Sequence, residues 1–186
     1  MKGNLFVVSG PSGVGKGTLC KMLCEKDEKI FLSVSATTRA PREGEVNGVS
    51  YHFLTNEQFD EKVANDEFYE WARVHNNRYG TLKQTVQDKL NEGYDVLLEI
   101  DVQGGMNMKK QENDAILIFI APPSEEVLRE RLTGRQTETP EQIELRLKNA
   151  FGELEYKDRY DHIVINDDLT TALDELYALI VNERNS

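Results

Sequence analysis

The sequence predicts an α/β protein with a five-stranded parallel β-sheet flanked by helices. Short apolar runs rich in Val, Ile and Leu alternate with helical patterns, which is typical of strands buried on both faces of a parallel sheet. The strong runs are Leu5–Ser9, Asp95–Ile100, Ala115–Ile120 and His162–Asn166, and Phe31–Ser35 is a weaker fifth. A chain of 186 residues, of which 39% are hydrophobic, is long enough to bury the core of such a domain.

Three helices are expected to begin at capping boxes, in which a hydroxyl and a glutamine three residues later satisfy free backbone N–H groups. The pairs are Thr55 with Gln58, Thr81 with Gln84, and Thr139 with Gln142. Apolar residues at spacings of three and four predict that the last of these helices continues to Leu154. A similar stripe predicts a C-terminal helix over Leu169–Val181.

Two segments interrupt the alternation of strands and helices. Residues 36–90 hold Gly-, Pro- and Asn-rich turns, most of the aromatic residues and short strand patterns such as Tyr51–Phe53, which indicates an inserted lobe. Residues 133–142, TGRQTETPEQ, are polar and lie between two helical patterns that both carry arginines. This second segment is expected to form a mobile flap.

The formal net charge of -11 argues against a nucleic-acid backbone or an anionic membrane as the main partner. An acidic ligand would therefore need a local basic site. The candidates are Arg39 with Arg42, and the group Arg129, Arg131, Arg135 and Arg146. The two cysteines form no disulfide framework, and neither a signal peptide nor a membrane-spanning run is found, so the expected compartment is the cytoplasm. The oligomeric state stays open.

A glycine-rich loop follows the first strand and precedes a helical pattern, which is the context of a phosphate-binding loop. It consists of Gly10, Pro11, Ser12, Gly13, Val14, Gly15, Lys16, Gly17 and Thr18. Glycines allow backbone N–H groups to converge on phosphate oxygens, and Lys16 neutralises the β and γ phosphates. Gly17 stands where a hydroxyl residue usually meets Mg²⁺, so the ion is expected to be held mainly through the nucleotide phosphates and water, with Thr18 as a possible ligand.

Further charged residues indicate which phosphate chemistry the loop serves. Asp101 follows a buried strand at the sheet edge where ligands bind. Arg131, Arg135 and Arg146 flank the flap, and guanidinium groups suit a reaction that brings several phosphate oxygens together. A small-molecule kinase, a regulatory GTPase and a fragment of a motor or transporter could all carry the loop, and the arginines favour the kinase.

Five segments make the chain resemble guanylate kinases of the nucleoside monophosphate kinase group. They are GPSGVGKGT at 10–18, SVSATTRAPREGEVNGVSYHF at 33–53, EFYEWARVHNNRYGT at 67–81, LLEIDVQGG at 97–105 and RLTGRQTETPEQIELRL at 131–147. The resemblance implies one domain over residues 1–186 with three parts. Residues 1–35, 91–124 and 156–186 would form the core with the phosphate loop, 36–90 a GMP-binding lobe and 125–155 a helical lid.

The same resemblance implies the role of each site residue. ATP would bind to the loop at 10–18 with Arg131 and Arg135, and Lys16, Arg39, Arg135 and Arg146 would stabilise the transition state. Guanine would be held by Ser35, Glu70, Thr81 and Asp101, and the phosphate of GMP by Arg39, Arg42, Tyr51 and Tyr79. Carboxylates suit guanine because it presents N1–H and N2–H₂ donors, whereas adenine has an acceptor at N1.

The implied reaction is reversible transfer of the γ-phosphoryl group from MgATP to GMP, and to dGMP, without a covalent intermediate. Two alternatives stay open at this point. One is a binding module that keeps the fold without the reaction, against which Lys16 and the lid arginines argue. The other is a kinase for a different acceptor, against which Ser35 and Glu70 argue. Gln136 and Arg78 depart from the family pattern, since glycine and an aromatic residue are expected there.

Overall fold

The structure is a computed structural model that describes residues 1–134 and 138–186. Its centre is a five-stranded parallel sheet with the strand order β2-β7-β1-β8-β9. The strands are β1 (Leu5–Ser9), β2 (Ile30–Leu32), β7 (Asp95–Glu99), β8 (Ile116–Ala121) and β9 (His162–Ile165). The predicted α/β class and the parallel five-stranded sheet are confirmed.

The weak strand predicted at Phe31–Ser35 is wrong in extent. β2 ends at Leu32, and the backbone N–H of Ser33 makes a last bond to the carbonyl of Leu97. The chain then crosses to a second sheet, where Ala36 pairs with Gly80. Residues 33–35 connect the two sheets, so the predicted strand continues past the end of β2 into this connection.

Helices cover both faces of the central sheet. They are α1 (Lys16–Lys26), α3 (Lys83–Asn91), α4 (Val102–Gln111) and α7 (Leu169–Arg184). Phe6 and Val8 of β1 point to the face that packs on α1 and α7, while Leu5 and Val7 point to the face that packs on α3 and α4. This alternation buries two apolar layers and fixes the carboxyl edge of the sheet, where the phosphate loop begins.

Residues between β2 and α3 form a second, mixed sheet with the order β4-β3-β6-β5. Its strands are β3 (Ala36–Thr37), β4 (His52–Phe53), β5 (Phe68–Val74) and β6 (Asn77–Leu82), and α2 (Asn56–Ala64) packs on it. We call this sheet with α2 the acceptor lobe. It supplies one wall of the cleft described below.

Two of the three predicted capping boxes are confirmed and one is wrong. Thr55 caps α2 and Thr139 caps α6 (Pro140–Leu154), and in both cases the partner glutamine returns the bond. Helix α3 instead begins after Leu82 without a side-chain cap. The hydroxyl of Thr81 is turned to Glu70 on the neighbouring strand, 2.6 Å away, because Thr81 lies inside β6.

Helices α5 (Glu125–Thr133) and α6 pack on each other through Leu128, Leu132, Leu147 and Ala150. A short 3₁₀ turn, Lys157–Arg159, then leads into β9. The flap expected over 133–142 lies partly outside the described residues, since 135–137 fall in the gap. Throughout 1–134 and 138–186, every helix is too short or too polar to cross a bilayer.

Candidate active site

The phosphate loop connects the end of β1 to the start of α1. Gly15 caps α1 with φ of 88°, a left-handed conformation that glycine adopts without strain. The Lys16 ammonium group donates to the carbonyl of Gly10 at 2.9 Å, so the lysine side chain folds over the loop. The loop and the lysine are therefore arranged to surround an anion at the N-terminus of a helix.

Asn166, just after β9, forms hydrogen bonds that hold this loop in place. The sequence analysis did not identify it as a site residue. Its side-chain amide donates to the carbonyl of Val14 at 2.8 Å, and its backbone carbonyl accepts from Arg131 at 3.1 Å. A Cβ on Gly15 would lie 2.9 Å from the same amide nitrogen. One buried asparagine thus links the loop to an arginine of α5.

Gly17 faces the carboxylate of Glu99, the last residue of β7. A Cβ built on Gly17 would lie 3.1 Å from Oε1 and 3.5 Å from Oε2 of Glu99. The carboxylate oxygens therefore lie beside the backbone position from which a hydroxyl side chain would extend. The composition of the loop gives no signal for this contact, because Glu99 comes from a distant strand.

Glu70 and Thr81 are brought together on neighbouring antiparallel strands. The Thr81 hydroxyl donates to Oε1 of Glu70, and Cα pairing of β5 with β6 sets the two residues opposite each other. Burial raises the pKa of Glu70, the Thr81 hydroxyl opposes that shift, and the negative charge of Asp101 adds to it. The charge of Asp101, which caps α4 after the central strand β7, therefore acts on Glu70 of the acceptor lobe.

Asp101 follows β7 and caps α4. Its Oδ1 accepts a hydrogen bond from the backbone N–H of Gly104 at 2.7 Å. One oxygen of this carboxylate is thus used to fix the helix, which holds the side chain in place. Its position at the carboxyl end of a central strand agrees with the ligand-binding edge expected from the topology.

Ser35, Tyr51 and Thr81 line one cleft of about 680 Å³ between the central sheet and the acceptor lobe. Leu98, Glu99 and Ile100 form its opposite wall. The cleft therefore runs from the acceptor lobe to the carboxyl edge of the central sheet, where β1 also opens into the phosphate loop. This is room for a small ligand.

Tyr51, which lines the cleft, also contacts the predicted residues Arg39 and Tyr79. The rings of Tyr51 and Tyr79 meet edge to face with centroids 6.0 Å apart, and the Arg39 guanidinium lies 5.2 Å from the centroid of Tyr51. Arg42 follows in the same loop, and its backbone N–H donates to Glu45 at 2.7 Å. The Arg39 guanidinium beside two phenol rings, with Arg42 three residues further along the chain, suits an oxyanion.

The arginines of the lid segment have different surroundings. Arg131 contacts Asn166, as described above, and Arg146 pairs with Glu138 with 2.7 Å between Nη1 and Oε1. Arg135, a predicted catalytic and ATP-binding residue, lies outside the described residues, as does Gln136. The structure thus places two of the three predicted lid cations.

Glu153 on α6 is a further acidic residue of the site that sequence reasoning missed. Burial raises its pKa, the charge of Lys16 lowers it and that of Asp101 raises it, so the carboxylate lies near both. It is seven positions after Arg146 on the same helix, and this spacing places both residues on one face. The helical spacing could have revealed it.

Arg78 replaces the expected aromatic residue by stacking among aromatic rings. It is buried, lies 4.5 Å from the ring centroid of Phe59 and 5.9 Å from that of Trp71, and pairs with Asp60 at 2.5 Å. A cation over aromatic faces gains an electrostatic attraction that partly compensates burial. Arg78 is thus a structural residue of the acceptor lobe.

In the described parts of the chain, no group of three or more His, Cys, Asp or Glu side chains has the geometry of a metal site. Glu99 beside Gly17, and Thr18 one residue further on, are oxygen-bearing side chains next to the phosphate loop. Carboxylate and hydroxyl oxygens suit Mg²⁺, which commonly binds through one or two protein groups plus substrate phosphates. The residues present therefore fit a nucleotide-borne magnesium ion.

Comparison with known proteins gives a consistent result over the whole chain. The family model described as guanylate kinase matches residues 2–183. The guanylate kinase of Clostridium perfringens (strain SM101 / Type A) is 49% identical over 183 residues, which cover 98% of this chain and 85% of that protein. The guanylate kinase of Fusobacterium nucleatum subsp. nucleatum is 50% identical over 180 residues, or 97% of each chain. The crystal structure of guanylate kinase from Anaplasma phagocytophilum matches with a TM-score of 0.76 at 33% identity, covering 100% of this chain and 88% of that one.

Proposed function

Because the chain belongs to the guanylate kinase family, we propose that it transfers the γ-phosphoryl group of ATP to GMP, forming ADP and GDP, with dGMP as a second acceptor. The observation that carries the proposal is the shared cleft. Ser35, Tyr51 and Thr81 line the same space as Glu99, whose carboxylate lies beside Gly17 of the phosphate loop. This arrangement supports a meeting of acceptor and donor at the carboxyl edge of the central sheet.

Guanine binds to the polar pair of the acceptor lobe and to Asp101. The carboxylate of Glu70 accepts from N1–H and N2–H₂, and Ser35 and Thr81 supply hydroxyls for the remaining edge of the base. Adenine would leave a buried carboxylate facing the N1 lone pair, and such unpaired buried groups are the strongest source of discrimination. The burial of Glu70 and its 2.6 Å bond to Thr81 support this role.

The acceptor phosphate binds to Arg39, Arg42, Tyr51 and Tyr79. It is already anionic, so the reaction needs no general base, and the protein's task is to hold two negative groups in line. The packing of the Arg39 guanidinium against the ring of Tyr51 supports one shared anion site in the acceptor lobe.

ATP binds with its phosphates over the loop at 10–18, and Lys16, Arg39, Arg135 and Arg146 stabilise the charge that spreads in the transition state. Arg131 assists from α5. Its contact with Asn166, which also bonds Val14 of the loop, supports a coupled position for α5 and the loop. In this scheme residues 1–35, 91–124 and 156–186 carry ATP, 36–90 carries GMP, and 125–155 closes over both.

A magnesium ion bound with ATP would supply positive charge that neutralises the nucleotide phosphates. Those phosphates and water would hold most of the ion. Thr18 and Glu99 are the residues of this chain that would complete its surroundings, and the position of the Glu99 carboxylate beside Gly17 supports this assignment.

The test is a coupled ADP-release assay with MgATP and, in turn, GMP, dGMP, AMP, CMP, UMP and dTMP. We expect turnover with GMP and dGMP alone. Turnover with another acceptor would retain phosphotransfer but overturn the roles of Glu70 and Asp101. Measurable GMP binding without turnover would instead identify a binding module.

A further inference from the structure

Glu45, which has no role in the scheme above, makes direct contacts with both arginines of the acceptor-phosphate site. Its carboxylate binds the Arg39 guanidinium in a bidentate pair, with Oε1 2.9 Å from Nη1 and Oε2 2.8 Å from Nη2. Two parallel charge-assisted bonds fix the plane of a guanidinium as well as its position. The orientation of Arg39 is therefore set by Glu45.

The same carboxylate also fixes the backbone that leads to the second arginine. Oε1 accepts from the backbone N–H of Arg42 at 2.7 Å, and the backbone N–H of Glu45 returns a bond to the carbonyl of Arg42 at 3.1 Å. Gly44, with φ of 82°, allows the chain to close this tight turn. Glu45 therefore connects Arg39 and Arg42 in one hydrogen-bonded unit.

The bidentate pair leaves other donors of Arg39 for a ligand. An arginine has five N–H donors, and Glu45 takes one from each terminal nitrogen. One more donor, from Nη1, meets the carbonyl of Ala40 at 3.1 Å. The remaining donors belong to Nη2 and Nε, and the centroid of the Tyr51 ring lies 5.2 Å from the guanidinium carbon. Two N–H donors of Arg39 are thus left for an anion.

Glu45 remains charged under all ordinary conditions. The bidentate bond from Arg39, followed by the backbone bond from Arg42, lowers the pKa of this carboxyl to about 2. Its negative charge offsets one of the two arginine charges, so Glu45 weakens the electrostatic attraction for phosphate. At the same time, it orients the N–H donors of Arg39. The two effects predict opposite consequences of removing the charge.

We propose that Glu45 is a positioning residue for the acceptor phosphate, which holds the Arg39 guanidinium and the Arg42 turn in the geometry that binds the phosphate of GMP. The opposite role would be that of a competitor: the Glu45 carboxylate would occupy Arg39 in place of the phosphate, and GMP would have to displace it. The geometry favours positioning, because displacing Glu45 would also break the bond to the backbone of Arg42 and open the turn. The inference rests on the proposed function of Arg39 and Arg42.

The test compares Glu45→Gln with Glu43→Gln, which removes the same charge two residues away at an exposed position. Binding of GMP and of guanosine is measured by calorimetry, and the KM values for GMP and ATP are measured with kcat. Guanosine lacks the phosphate, so it reports whether the base site and the fold of the acceptor lobe are intact.

For Glu45→Gln we expect GMP binding to weaken about tenfold to hundredfold, the scale of losing a charge-assisted pair. Guanosine binding and the KM for ATP should stay unchanged, and Glu43→Gln should behave as the parent. Glu45→Asp, which keeps the charge on a shorter side chain, should restore part of the affinity.

Two results would overturn the proposal. An equal loss of GMP and guanosine affinity would mean that Glu45 only supports the fold of the acceptor lobe. Tighter GMP binding in Glu45→Gln would mean that the carboxylate competes with the phosphate. Failure of the proposed function itself would be recognised separately, because the parent protein would then not turn over GMP.

Discussion

The central sheet and the acceptor lobe are stabilised in different ways. The sheet buries large apolar side chains on both faces, among them Phe6, Leu97 and Phe119. The core of the acceptor lobe comprises four buried residues, Ala36, Phe59, Phe68 and Leu82. The lobe adds polar links instead, such as Arg78 to Asp60 and Arg39 to Glu45.

This difference explains where rigidity and recognition lie. The phosphate loop is anchored on the well-packed sheet through Asn166, whereas the proposed sites for guanine and its phosphate lie in the region with the smaller core. Small apolar cores open at lower free energy than large ones. We therefore expect the acceptor lobe to open locally at a lower free energy than the central sheet.

The largest effects are expected from truncating one buried ring in each region. Phe119 and Phe59 are both fully buried, and Phe→Ala in a core costs about 3–5 kcal/mol. Phe119→Ala should lower the free energy of unfolding of the whole protein. Phe59→Ala should loosen the acceptor lobe, so that GMP binding is lost while ATP binding persists.

Thermal unfolding and calorimetric titration with each nucleotide measure this contrast. Similar losses of ATP and GMP binding in Phe59→Ala would contradict it, since the two regions would then unfold as one unit. Phe119→Ala, which is expected to destabilise the whole protein, shows how both nucleotide affinities respond when the loss of stability is not confined to the acceptor lobe.

The next effect concerns chemistry on the rigid side. Lys16→Ala removes the cation that folds over the phosphate loop, and we expect kcat to fall by about 10²–10³. GMP binding and the unfolding temperature should change little, because Lys16 lies outside the acceptor lobe. Lys21→Ala, an exposed lysine of the same helix, is the control. Near-parent turnover by folded Lys16→Ala would refute the role of the loop.

The sequence predicts the rigid side better than the acceptor lobe, for a physical reason. Buried parallel strands carry a local apolar pattern, and β1 was predicted with its observed bounds, Leu5–Ser9. The acceptor lobe has short strands whose partners are distant, so Thr81 was assigned to a helix cap although its hydroxyl bonds Glu70. Local signals cannot reveal which of two hydrogen-bond partners a hydroxyl chooses.

Site residues divide in the same way. The phosphate loop is a contiguous motif and could be found by its spacing, whereas Asn166 and Glu99 reach the site only through folding. Glu45 lies within a quoted segment, but its role depends on a bidentate contact that no spacing implies. Residues that act on other side chains are the ones that sequence patterns leave out.

The smallest expected effect is a dependence of guanosine binding on pH, which tests the role of Glu70 in the acceptor lobe. Burial, with Asp101 nearby, raises the pKa of Glu70 above its usual range, and protonation would remove an acceptor for guanine N–H groups. Guanosine affinity should therefore fall as the pH is lowered, and should begin to fall above the pKa of about 4.3 of an ordinary glutamate. Guanosine is the better ligand here because it has no phosphate that titrates in the same range.

The effect on stability has the opposite sign. A carboxyl whose pKa is raised in the folded state binds protons more readily there, so the Glu70 contribution destabilises the fold at neutral pH, and this cost is relieved as the pH falls through the raised pKa. Glu70→Gln should flatten both pH dependences. Calorimetric titrations with guanosine measure the first pH dependence, and unfolding temperatures across the same pH series measure the second. A parent protein whose guanosine affinity stays constant down to the range of an exposed glutamate would place Glu70 away from the base, and the acceptor lobe would then recognise guanine by other groups.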